Sequence, residues 1–327
     1  MHMETRKIIL GIVGAGLFFS TAHADGLALG NASLEERIAA LESLLQHVQI
    51  VEGELNGVAG PHFIIEGANV HVRSGYGNTG EDCGGANATD CPTRTGLGNL
   101  IVGYNEPRPS GWDPDNLCAS DPDAQDDLGR SICVRRDGAH SLVVGQGNNF
   151  VGHANAVFGL WNEVKGSHAT VTGGRENTAA NYSSVSGGFR NVASSRWSSV
   201  SGGLGNRADG AASSVSGGEN NVASAYASTV GAGLNNIASG DHSVVSGGIF
   251  SFAIGPGSAV SGGRENRAIG GHSSVSGGED NQAHNFASAI SGGSFNLAFG
   301  ERSSVSGGLH KTANNPDCVV GDSGDDC

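Results

Sequence analysis

The stretch SSVSGGENNVASAYA, Ser213–Ala227, decides the fold. Its first six residues, SSVSGG, return at Ser183, Ser198, Ser273 and Ser303, with close variants between. The residue in the valine place runs Val143, Val157, Val171, Val185, Val200, Val215, Val230, Val245, Val260, Val275, Ile290, Val305 and Val319. The steps are fourteen three times, fifteen eight times, then fourteen. Thirteen units held in phase are an internal repeat. A unit this short does not hold a helical hairpin. It fits two short strands and two turns, one coil of a parallel β-solenoid.

Alternate residues of a strand share a face. A serine stands two residues before the valine in every unit from Ser183 to Ser303. The glycine two after the valine, as in Gly187, shares that parity. Serine, valine and glycine are therefore expected inside. Six residues after the valine comes an asparagine, at 191, 206, 221, 236, 266, 281 and 296, and two further on an alanine. These form the second inward strand. The predicted core ladder is Val185, Val200, Val215, Val230, Val245, Val260, Val275, Ile290 and Val305. Serine and asparagine side chains are expected to satisfy one another in ladders along the stack. Thirteen coils at the inter-strand spacing make roughly 60 Å.

Composition agrees with a thin interior. The 327 residues include 55 glycines, with 6% aromatic and 15% charged residues. Glycine does not recur at every third place, which excludes collagen. Regular valines and low charge separate the chain from disordered Gly/Ser linkers. One valine per coil barely offsets the ordering of fifteen residues, so burial against other chains is expected. The residue between asparagine and alanine is the candidate contact: Val192, Val222, Ile237, Phe252 and Leu297 alternate with Arg207, Arg267 and Gln282.

The N-terminus has the pattern of a secretory leader: Arg6 and Lys7, an apolar run Ile8–Ser20, then Ala22-His23-Ala24. The expected mature chain begins at Asp25, is secreted or displayed at the cell surface, and has no integral membrane segment. An N-terminal anchor is the alternative reading. Next, NASLEERIAALESLLQHV places Leu34, Ile38, Leu41, Leu45 and Val48 at spacings of four, three, four and three, a coiled-coil seam. Asn31 or Ser33 would cap the helix, with Glu36 completing a capping box. The alternative is an amphipathic helix packed on its own chain. The expected organisation is a leader at 1–24, a coiled-coil helix at 25–57, an irregular region at 58–138 and the roll at 139–327. Within the irregular region, Phe63–Gly75 alternates like a strand. NLIVGYNE, from Asn99, resembles SLVVGQGN, from Ser141, which suggests an early coil interrupted by an inserted loop.

The six cysteines fall in three close pairs: Cys83 with Cys91, Cys118 with Cys133, and Cys318 with Cys327. In an exported chain they suggest disulfides, and local pairing closes the shortest loops. They lack the C-x-x-C spacing of zinc sites. Asp113, Asp115, Asn116, Asp121 and Asp123 are a weak calcium candidate without EF-hand spacing. The alternative there is a solvated acidic loop, and GDSGDDC at 321–327 is read the same way. Asn87 opens a glycosylation sequon. The net charge of −14 argues against nucleic acid as a partner. His242 and His272 hold the same place two coils apart, about 10 Å, too far to share a metal. No recurring acid–base pair, nucleophile set or phosphate loop is found, so no enzyme activity and no cofactor are expected.

The pattern SxVxGGxxNxAxGxxS, over roughly Asn99–Val320, resembles the YadA-like heads of trimeric autotransporter adhesins. The resemblance implies a left-handed parallel β-roll, three chains side by side, and adhesion to surface polymers or matrix proteins. Two departures stand out. The family commonly carries isoleucine at the place of Gly187 or Gly202, which implies a thinner core here. It also continues into a stalk and membrane anchor, where this sequence reads GDSGDDC. The expected function is a non-enzymatic, adhesin-like homotrimer. The alternatives are an ice- or polysaccharide-binding solenoid, using outward serines such as Ser199/Ser201 and Ser274/Ser276, and a polysaccharide-active β-solenoid enzyme.

Overall fold

The computed structural model describes residues 33–55, 60–72, 99–102, 136, 138–321 and 327. The leader, Asn87, Cys83, Cys91, Cys118, Cys133 and the calcium candidates Asp113, Asp115, Asn116, Asp121 and Asp123 lie outside the described residues. The chain divides into two compact units, 1–71 and 72–327.

The smaller unit holds helix α1 (Leu34–Leu44) and an antiparallel pair, β1 (Val48–Val51) with β2 (His62–Ile65). Ser33 caps α1 reciprocally: the Glu36 N–H donates to Ser33 Oγ (3.2 Å), and the Ser33 N–H donates to Glu36 Oε2 (2.7 Å). The predicted seam is shorter than its spacing suggested. Leu45 is already the C-cap, and Val48 begins β1, opposite Ile65. The sequence Val48–Val51 is rich in β-branched residues, which lose χ1 freedom in a helix and fit a pleated pair. The expected helical segment 25–57 therefore ends in a strand, and the boundary at 57 falls inside this unit. Of the strand expected over Phe63–Gly75, the described part, to residue 72, is strand only at its start, within β2.

The larger unit is a parallel β-solenoid. Among the described residues, one sheet has fourteen strands, from β3 (Leu100–Val102) to Val319–Val320. The other has twelve, from Asn149–Phe150 to Thr312–Ala313, so about twelve coils contribute to both. β3 lies parallel to Leu142–Gln146 with Leu100 opposite Leu142, so a first-sheet strand precedes the segment 103–135. Consecutive coils pair in register: Val200 with Val215, Val215 with Val230, Ala208 with Ala223.

The inward valines from Val185 to Val305, and the alanines facing them, are fully buried. The file ends one residue later than its spacing suggested. Val320 is paired with Val305 and buried, whereas Val319 is 70% exposed. The last step is therefore fifteen. The first glycine of each pair also departs from expectation. A Cβ on Gly187, Gly202 or Gly217 would meet nothing within 4 Å. The strand ends at the valine, so parity no longer sets direction, and this glycine opens outward in the turn. Its lack of a side chain does not thin the core.

Hydrogen bonding explains the recurring asparagines. Asn206 Oδ1 accepts the Asn221 N–H (2.9 Å), while Asn206 Nδ2 donates to the carbonyls of Gly202 and Gly218 (both 2.9 Å). One buried amide thus closes its own turn and ties it to the next coil. Several inward serines behave similarly, Ser198 Oγ donating to Ser195 O (2.6 Å) and Ser228 Oγ to Ala225 O (2.9 Å), whereas the buried hydroxyls of Ser213, Ser258 and Ser273 have no partner. The ladders therefore run chiefly through the backbone rather than from side chain to side chain. Carbonyls in the turns face inward and satisfy the bonded groups locally.

Strand N–H groups point to the following coil, as from Val222 to Asn236 O (2.8 Å). At two corners per coil the direction reverses. Asn220 donates back to Leu204 O (2.9 Å) and Ala227 back to Ala211 O (2.9 Å). These corner residues have left-handed backbone, with φ of 52° at both Asn220 and Ala227. The conformation costs an L-residue roughly 1–2 kcal/mol, and the reversed bond to the preceding coil offsets it.

Before the terminal coil the asparagine file has one break, at Ser251, which is buried and whose Oγ has no hydrogen-bond partner. Without an amide there, Asn266 loses the Oδ1 acceptor its equivalents use, and Gly247 and Gly263 lose a donor. Ser251→Asn should restore all three bonds. We expect a gain of about 1–3 kcal/mol, read as a higher unfolding midpoint in denaturant. An unchanged or lower midpoint would show that the amide does not set the turn.

Candidate functional site

The described interior of the repeat is packed mainly with valine, alanine, serine and asparagine side chains, so the candidate surfaces are the outer faces. The first sheet presents Ser184/Ser186, Ser199/Ser201, Ser214/Ser216 and their equivalents. From Ser183 to Gly308, none of the six-residue segments equivalent to SSVSGG contains a charged residue. All charges in this stretch occupy the other nine places of the coil. The outer hydroxyl file Ser186, Ser201, Ser216, Ser246, Ser261, Ser276, Ser291 and Ser306 is exposed, with one gap at Gly231. This face is flat, neutral and hydroxylated.

The second sheet is different. Val192, Arg207, Val222, Ile237, Phe252, Arg267, Gln282 and Leu297 form its outward file, each paired with the next. The coil Ser246–Val260 carries no charge, and Ile249, Phe250 and Ile254 are exposed around it. With Ile237, Phe252 and Ile269 they form an apolar belt. Arg267 borders it, its guanidinium 5.4 Å from the Phe252 ring centroid. His284 stacks on Phe299 (4.4 Å), and burial together with the Arg267 cation holds its imidazole below the usual histidine range.

Near the start of the stack, Glu176 is 2% exposed and paired with Arg175 Nε (3.1 Å) and Arg190 Nε (2.8 Å). Both guanidiniums lie over Phe189, at 4.6 and 4.8 Å. A buried carboxylate needs such partners, and the aromatic ring holds them in place. Composition gives no signal for this cluster. Its sequence trace is the run of Arg175-Glu176 and Phe189-Arg190 at one corner. A shallow groove of about 280 Å³ lies beside it, rimmed by Arg190 and Arg207. Arg190 is committed to Glu176, and Arg207 to Asp209 (3.0 Å), so the groove is not an open anion site.

The other candidates are placed as follows. Leu34, Ile38 and Leu41 lie along α1 and Leu45 caps it, and all four are exposed, Leu34 at 67%. Cys318 and Cys327 form a disulfide, with Cα atoms 6.2 Å apart. His242 and His272 both occupy left-handed corners and lie edge-on to Tyr226 and Phe286. Among the described residues, no three His, Cys, Asp or Glu side chains converge as a metal site would require. Among the same residues, no helix is long and apolar enough to cross a membrane. No protein-family model matches the chain, and no curated protein matches it.

Proposed function

We propose that this protein is a non-enzymatic, adhesin-like scaffold, exported to the cell exterior, that acts as a parallel homotrimer and binds surface polysaccharide or matrix protein. The observation that carries this reading is the apolar surface left uncovered on a single chain, the α1 seam and the belt around Phe252. In a parallel assembly each coil meets the equivalent coil of its neighbour. A belt confined to three neighbouring coils then meets itself, and the helix seams meet along their common direction. The number three follows the resemblance to YadA-like heads. The neutral hydroxylated face remains available to a polymer, because hydroxyls repeat along it at the coil spacing of about 4.8 Å.

The test is the solution mass of the chain from Asp25, by light scattering. Three times the chain mass is expected, across a wide dilution range. A monomer at all concentrations would overturn the proposal.

A further inference from the structure

The two ends of the solenoid core differ. At the first end, β3 has a neighbour on one side only among the described residues. Ile101, which continues the inward file of Val143, is 47% exposed there. At the other end the last strand, Val319–Val320, also has a single neighbour, yet Val320 is fully buried. The terminal coil departs from the repeat at two inward places. Lys311 replaces the asparagine, with its N–H on Asn296 Oδ1 (2.8 Å), and Cys318 replaces the serine. Cys318 is buried and bonded to Cys327, whose carbonyl accepts the Asn315 N–H (3.1 Å). In other coils this N–H turns to the inward serine, as Ala225 does to Ser228 Oγ (3.2 Å), or to the alanine carbonyl of the following coil, as Gly300 does to Ala313 O (3.0 Å). The disulfide therefore draws Cys327 onto the corner left without its serine.

We propose that the Cys318–Cys327 disulfide is an end lock, which closes the last coil against a second copy of this chain adding end to end. The occupant it excludes is the β3 edge of that copy. Stacking β3 on Val319–Val320 would place Leu100 over Val319 and Ile101 over Val320, continuing both files in the register already used between coils. Such a contact is heterologous and does not close, so it propagates as a filament. Unpaired strand edges are sites of this kind of growth, and repeat proteins cap them. The readout is length along the stack, so it is independent of how many chains lie side by side.

The test compares the parent chain with Cys318→Ser/Cys327→Ser, which returns the file's usual serine to 318 and leaves the other four cysteines intact. Light scattering should show the variant's mass rising at least threefold with concentration, and electron microscopy should show unbranched filaments of constant width. Adding Ile101→Asp on the opposite edge should return the mass to the parent value. The same result is expected when Cys318→Ser is combined with deletion of 322–327. Equal masses for parent and unlocked chains, or growth that survives Ile101→Asp, would overturn the proposal. Loss of the β-sheet signal in both unlocked chains would overturn it too, since the clip would then hold the coil folded rather than guard its edge.

Discussion

Val230→Asp should split the solenoid. Val230 is fully buried, in register with Val215 and Val245, and faces a lining of alanines. The nearby amides of Asn221 and Asn236 are occupied by backbone carbonyls, so neither offers a free donor to a carboxylate. The substitution removes about 1.5–3 kcal/mol of valine burial and adds a charge without a partner. Together these should exceed about 4 kcal/mol, the range reached by few single changes. Each coil is held by its neighbours, so the damage should divide the stack into two shorter blocks rather than weaken it evenly. Hydrogen exchange should show lost protection centred on residues 215–245. Val244→Asp is the matched control: it lies on the paired strand of the next coil, one residue before the inward Val245, and faces outward. It should cost no more than about 1 kcal/mol. Equal melting temperatures for the two variants would mean that the inward parity is wrong.

That parity could be read because it repeats. The valine file, the alanine file and the strand pair per coil follow from spacing alone, since a solenoid multiplies each local choice about twelve times. Features that interrupt the period are the ones spacing misplaces. A valine near the expected place points to Val319 as the inward residue, yet pairing selects Val320. Val48 extends the helical seam by count, but a partner strand 14 residues further on, at His62, takes it into β1. Pairing partners remote in sequence leave no trace in a local pattern. The corners were equally illegible. Residues as unlike as Trp197, Ala212, His242 and Arg302 share one left-handed place. There the hydrogen bond to the previous coil decides the backbone, not the residue's own preference. The candidate surfaces were half legible. The mixed file around Phe252 could be read, whereas the belt it joins needed the corner residues Ile249 and Phe250 brought beside it.

The adjacent glycines of each coil separate the two reasons a repeat can keep glycine, and they give the second large prediction. Gly218 has φ of +85°, and a Cβ there would run into the Gly233 carbonyl of the next coil and lie 2.6 Å from Asn221 Nδ2. Gly218→Ala must therefore bear a left-handed alanine, about 1–2 kcal/mol. It must also push apart a backbone contact and disturb the amide that ties two coils, about 1 kcal/mol or more per bond. A total of roughly 3–5 kcal/mol is expected, seen as a large fall in the denaturant midpoint. Gly217→Ala, one residue earlier, meets open space and lies outside the left-handed region. It should change stability by no more than about 0.5 kcal/mol. If the two alanines cost the same, close approach between coils is not what keeps the second glycine. If Gly217→Ala instead leaves the chain folded but shifts its solution mass, the first glycine is kept for a neighbouring chain.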